Sequence, residues 1–114
     1  MSYIRKGFNE VVLDVSSTML HDRLKDESFP IIENYITSKN SGPLFLIEGS
    51  KIKEAYGDYI LEYKDGKAFN LNGEEVCYIQ DSLIISSSQS LFYQIVGDLS
   101  FFELMAVIAY LFNE

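Results

Sequence analysis

The segment that most constrains this chain is its last one, Ser100–Phe112 (SFFELMAVIAYLF). Ser100 and Glu103 have the spacing of a capping box, in which each side chain satisfies a backbone amide of the other, so a helix starts there. Beyond Glu103 no charged residue occurs until Glu114. A helix apolar all round has to be buried on most sides. Crossing a bilayer takes roughly 20 residues, and about a dozen are present, so the cover is a core or another subunit.

A chain of 114 residues, of which 47% are apolar, can build one domain around a single core. The opening Met1-Ser2-Tyr3-Ile4-Arg5-Lys6 lacks the apolar stretch of a secretory leader, and no run of 18 apolar residues follows. These features point to a cytoplasmic protein with no membrane span, in a host cytoplasm if the source is a virus. Cys77 is the single cysteine; it has no partner for an internal disulfide and reads as a small core hydrophobe in a strand.

Charge says more than any motif. The net charge is −8, and every Lys and Arg lies at or before Lys67, whereas residues 68–114 carry acids and no base. Such a surface repels phosphate backbones, which argues against direct nucleic-acid binding. It suits a basic protein partner, including a nucleic-acid-binding protein whose groove it would occupy.

Local signals predict an α+β domain. Phe8–Val15 is rich in β-branched residues and reads as a strand. Ser16 and Ser17 offer N-caps for a helix from Thr18 to about Glu27, with Met19, Leu20 and Leu24 as its stripe. Ser28-Phe29-Pro30 has the pattern of a helix restart, with Phe29, Ile32 and Ile36 on one face, and Asn40-Ser41-Gly42-Pro43 stops it. Leu44–Ile47 reads as a buried strand. Tyr59–Lys64, Lys67–Leu71 and Glu74–Gln80 are separated by Asp65-Gly66 and Asn72-Gly73, the preferred pairs for tight hairpin turns, and Leu83–Ser86 follows as a further strand. Leu91–Val96 fits a strand or a helical turn equally well. The expected fold is an antiparallel meander of about five or six strands, packed against an N-terminal helical segment and the apolar C-terminal helix.

No catalytic set is evident. His21 is the single histidine, and on the expected helix Asp22 and Asp26 fall outside its i, i+4 reach. One His, one Cys and scattered carboxylates match no zinc or calcium spacing, so neither a metal nor a cofactor is expected. The Ser86–Ser90 tract, with Ser87 and Ser88 at its centre, could cradle an anion in a turn, but it has no Gly and no base following it.

Aromatic content is 14%, and Tyr56, Tyr59, Tyr63, Tyr78 and Tyr93 all fall in or beside the expected sheet. Tyr59 and Tyr63 share strand parity with Leu61, so they would line one face. Tyrosines arranged in that way anchor a protein partner or form a core seam.

The sequence therefore favours a small acidic, non-catalytic interaction protein of the regulator, adaptor, immunity or inhibitor kind. Its expected partner surface comprises Tyr59, Tyr63, Glu74, Glu75 and Tyr78. A homodimer packing Phe101, Leu104, Met105, Ile108 and Phe112 would cover the surplus apolar circumference of the last helix. The alternative is a small-molecule or nucleotide-binding protein, extending to a weak hydrolase, with His21, Ser50, Ser87 and Ser88 converging on a pocket between helix and sheet.

Overall fold

A computed structural model describes residues 2–88 and 90–112. Gln89, within the Ser86–Ser90 tract, and Glu114, one of the acids noted above, lie outside the described residues. Twelve strands precede a single helix. They are β1 (Ser2–Lys6), β2 (Glu10–Val15), β3 (Met19–Asp22), β4 (Glu27–Ile32), β5 (Tyr35–Ser38) and β6 (Gly42–Glu48), then β7 (Lys51–Glu54), β8 (Tyr59–Lys64), β9 (Lys67–Asn70), β10 (Glu75–Gln80), β11 (Leu83–Ser86) and β12 (Phe92–Val96). Each strand pairs antiparallel with its sequence neighbours, and β1 pairs with β12 to close a barrel. The helix α1 (Phe101–Leu111) follows.

This corrects the α+β expectation: the wall is all-β, and the N-terminal helical segment does not exist. Residues 18–27 form the β3–β4 hairpin, in which Leu20 faces the core while Leu24 stands exposed on the turn. Asp22 sets that turn by accepting the backbone N–H groups of Leu24 (2.9 Å) and Lys25 (3.0 Å), which competes with helix formation. The second expected helix is the β4–β5 hairpin. Glu33 (φ 51) and Asn34 (φ 69) occupy the left-handed pair of positions of a tight two-residue turn. Pro30 is tolerated because its missing N–H falls on the β5 side, where the ladder runs only through Ile31↔Ile36 and Ile32↔Tyr35.

The strands from Tyr59 to Ser86 lie where their turn signals place them, and residues 92–96 are a strand. Asp65 (φ 52) and Gly66 (φ 80) make the two-residue turn, whereas the Asn72-Gly73 connection is longer and spans residues 71–74.

The apolar helix is covered by the barrel itself. Ser100 Oγ accepts the N–H of Glu103 (3.1 Å) and Glu103 Oε1 accepts the N–H of Ser100 (2.8 Å), completing the capping box. Met105 to Ala109 are all fully buried. Five consecutive residues at 100° per step point in every direction around a helix, so α1 runs inside the lumen. Contacts around it agree: Tyr63 of β8 packs on Phe101, Phe29 of β4 on Tyr110, and Tyr93 of β12 on Phe112. Eight-stranded barrels fill with side chains alone, and twelve strands leave room for a helix. Inward residues such as Ile4, Leu13, Ile36, Ile52 and Ile84 complete the core with the helix. Cys77 belongs to it, its thiol pushed up to about 12 by burial. Among the described residues no helix is long and apolar enough to cross a membrane.

Alternating strand direction gives the barrel two different ends. The helix enters beside the turns at 16–18, 33–34, 49–50, 65–66 and 81–82, which are polar or acidic. It exits beside the turns at 7–9, 23–26, 39–41, 55–58, 71–74 and 87–91.

Candidate protein-binding rim

Large apolar side chains left in solvent mark interaction sites when they cluster. Phe8, Leu24, Tyr56 and Leu71 each sit within a turn at the helix-exit end, and Tyr59 lies just below it. The two most exposed are on adjacent turns, Tyr56 at 85% and Leu71 at 68%.

Local chemistry holds both turns in shape. In residues 54–58 the Glu54 N–H donates to the Asp58 carbonyl (3.0 Å) and the Gly57 N–H to the Glu54 carbonyl (3.2 Å). A Cβ at Gly57 would approach the Glu54 Cβ to 3.3 Å, so glycine lets this turn close. In residues 70–74 Asn70 Oδ1 accepts the N–H groups of Asn72 and Glu74, both at 3.0 Å, and Asn70 Nδ2 donates to Glu74 Oε1 at 3.2 Å. Gly73 (φ 79) supplies the left-handed step. With its backbone so tied, the turn projects Leu71 outward.

Below Leu71, on the wall of β7 to β9, lies a groove of about 200 Å³, lined among others by Lys51, Tyr59, Ile60, Glu62 and Asn70. Tyr59 is fixed there by donating to Glu48 Oε1 (3.2 Å) and by Lys51 Nζ, 5.6 Å from its ring centre. That hydrogen bond to a carboxylate raises the Tyr59 pKa. Glu54, Asp58 and Glu74 bound the two turns, exposed, and none joins an ion pair among the described residues. Exposed apolar side chains set beside acids whose charge is not met from within are complementary to a chain segment carrying both an apolar side chain and a base.

The expected partner residues divide between several places. Tyr59 and Glu74 lie at this rim. Glu75 is satisfied internally, by the Ser87 hydroxyl (2.5 Å) and Lys67 Nζ (3.4 Å), which hold its carboxyl below the usual range. Tyr63 faces the core against Phe101, and burial raises its pKa. Tyr59 and Tyr63 part company because the β7–β8 register shifts after Ile52, a bulge at Ile60 that reverses the face of what precedes it. Tyr78 lies on the outer wall opposite Ile85. The residues expected at a helix-mediated dimer also separate: Met105 and Ile108 are inside the lumen, Leu104 and Phe112 are half-buried, and Phe101 is partly exposed at the helix-entry end.

His21, Ser50, Ser87 and Ser88 are not brought together. His21 faces outward, with Nδ1 2.8 Å from Ser28 Oγ and Nε2 3.3 Å from Asp26. Ser50 is in a turn at the helix-entry end, whereas Ser87 and Ser88 are at the exit. Ser88 lines a cleft of about 330 Å³ beside Tyr93, Leu111 and Phe112. A second cleft, of about 480 Å³, opens on the other side of the helix end, between Asp22, Lys25, Ser41, Phe45 and Tyr110. Among the described residues no group of three or more His, Cys, Asp or Glu is placed to hold a metal ion.

The expected partner surface left out Tyr56 and Leu71, because Leu71 reads as a strand end and Tyr56 as one tyrosine among several beside the sheet. The available signal was a lone large apolar residue inside a turn sequence, where no core position exists to receive it. Comparison with protein families, curated proteins and solved structures finds no match for this chain.

Proposed function

We propose that this is a non-catalytic binding protein that captures a basic segment of a partner protein at the rim formed by the 55–58 and 71–74 turns. One observation carries the reading: the two most exposed large apolar side chains, Tyr56 and Leu71, stand on adjacent turns that are bounded by the exposed acids Glu54, Asp58 and Glu74. Tyrosine and leucine bury area at low entropic cost, and the acids steer a cationic approach and set its register.

Site-directed photo-crosslinking in the native host tests this. A benzophenone side chain at position 56 or 71 is expected to trap a polypeptide, and the same probe at Ser17, on the opposite end, is not. Combined Glu54→Lys, Asp58→Lys and Glu74→Lys should abolish the adduct, as should about 1 M salt, where the screening length falls to ~3 Å. Absence of a polypeptide adduct from both rim positions, or an adduct indifferent to charge reversal, overturns the proposal.

A small-molecule function draws its support from the cleft of about 480 Å³ at the helix exit. Its signature would be a melting temperature raised by a nucleotide or metabolite, with no adduct at the rim.

A further inference from the structure

A second surface stands out by what it lacks. Residues 82–97 contain no charged side chain, in a chain with 26 such residues elsewhere, 17 of them acidic. They supply β11 and β12, adjacent in the wall, and β12 continues into β1. Tyr93 and Ile95 of β12 pack inward on the core. The alternate residues Phe92, Gln94 and Val96 therefore face out. Leu83 and Ile85 do the same on β11, where Ile84 and Ser86 are buried.

The register places these residues in rows. Ile85 is opposite Phe92, whose ring meets Phe8 at 4.9 Å, and Leu83 is opposite Gln94, which is opposite Arg5. Leu83, Ile85, Phe92 and Val96 are half-buried and stand outside the core cluster. No carboxylate faces out from β11, β12 or β1.

At the centre of the patch is a polar atom without a partner. Gln94 Oε1 is buried and accepts no hydrogen bond among the described residues. An unmet buried acceptor costs on the order of 1–3 kcal/mol, a cost relieved if the Gln94 side chain turns outward to a donor on a second molecule. A carboxamide carries both acceptor and donor, which makes Gln94 complementary to itself across a two-fold axis.

We infer that the β11–β12–β1 wall is a homodimer interface, occupied by a second copy of this chain in an isologous arrangement with Gln94 near the axis. The charge distribution selects the occupant. Two molecules of net charge −8 repel, and this wall, where no carboxylate faces out and Arg5 is the outward charge of β1, lets them meet without setting acid against acid. A basic partner, by contrast, finds no acid here to pair with. The inference is independent of the rim, which lies around the barrel on β7 to β10.

Light scattering and sedimentation of the intact chain give the first test: the expected mass is twice 13.0 kDa, and it persists when salt screens the residual repulsion. Ile85→Glu should yield folded monomer, its outward position sparing the barrel, whereas Leu71→Glu at the rim should leave the dimer intact. Gln94→Cys should give a covalent dimer on mild oxidation, and Glu33→Cys, on β4–β5, should not. A wild-type mass of 13.0 kDa up to ~1 mM protein, where even Kd values near 1 mM would register, overturns the inference. So does a dimer that survives Ile85→Glu and fails to cross-link through position 94.

Discussion

Asp22 joins the wall to the helix. The residue is only 7% exposed, and burial alone would raise its pKa. The Tyr110 hydroxyl and the N–H groups of Lys25 and Leu24 donate to it and, helped by the Lys25 charge, outweigh burial and hold the carboxyl below its ordinary value. Tyr110, on the last turn of α1, is shifted up, by burial first and by this carboxylate second. A depressed carboxyl contributes stability that is present above its unfolded pKa and lost as pH falls through the folded one. Melting temperature should therefore drop as pH is lowered below about 4, and Asp22→Asn should remove that part of the dependence. Tyr110→Phe, which deletes one hydrogen bond to a charged group, should cost about 1.5–3 kcal/mol above pH 5 and less below pH 3. Denaturant titrations at the two pH values check both. A Tyr110→Phe penalty equal at both would mean the hydroxyl contributes by packing and not through the carboxylate. None of this was visible in the sequence: Asp22 and Tyr110 are 88 positions apart, and no periodicity reports a contact that only barrel closure creates.

Among the elements, those with strong local chemistry were legible and those formed by context were not. Asp65-Gly66 announces a hairpin because glycine takes φ 80 without strain. The capping box announces the helix because two hydrogen bonds are local to four residues. Glu33-Asn34 announces nothing, since glutamate is a poor left-handed residue, and Phe29, Ile32 and Ile36 then mimic a helical stripe. In the barrel Phe29 and Ile36 face in while Ile32 is 56% exposed, which a helical face would not have tolerated. The expected partner surface coincides with the candidate rim at Glu74 and Tyr59 alone, because the bulge at Ile60 moves Tyr63 to the other face. The strain at Glu33 yields a prediction. Glu33→Gly should stabilise the protein by up to ~1 kcal/mol, because the left-handed position loses its Cβ penalty while no hydrogen bond of that side chain is lost among the described residues. The same change at Glu62, in the middle of β8, should destabilise by about 0.5–1 kcal/mol. Equal effects at the two sites would show that backbone strain at the turn is negligible.

The whole molecule is a chain of hairpins closed by one non-local pairing and threaded by its own last helix. Every wall contact except β1 with β12 joins sequence neighbours, so most of the barrel can form from short loops. Closure is different. Ile4 must find Ile95, and Ser2 Oγ must reach the Asp98 carbonyl (2.7 Å) where the chain turns into the helix. The lumen cannot stay empty, because the inward face of the wall is mostly apolar, with Ser2, Asp22, Ser38 and Ser86 as buried polar exceptions, and the helix packs against it. Closure and helix insertion are thus one event, and the loop-closure cost places it after the local hairpins. This separates two substitutions of similar cost. Gly66→Ala strains a local turn at φ 80 and should slow folding, with little change in the unfolding rate. Ile108→Val removes one methyl inside the lumen, costs about 0.5–1.5 kcal/mol, and should speed unfolding while folding is nearly unchanged. Stopped-flow chevrons of the two variants decide it. If Ile108→Val instead slows folding, the helix is in place at the transition state, and the barrel then assembles around it as a template.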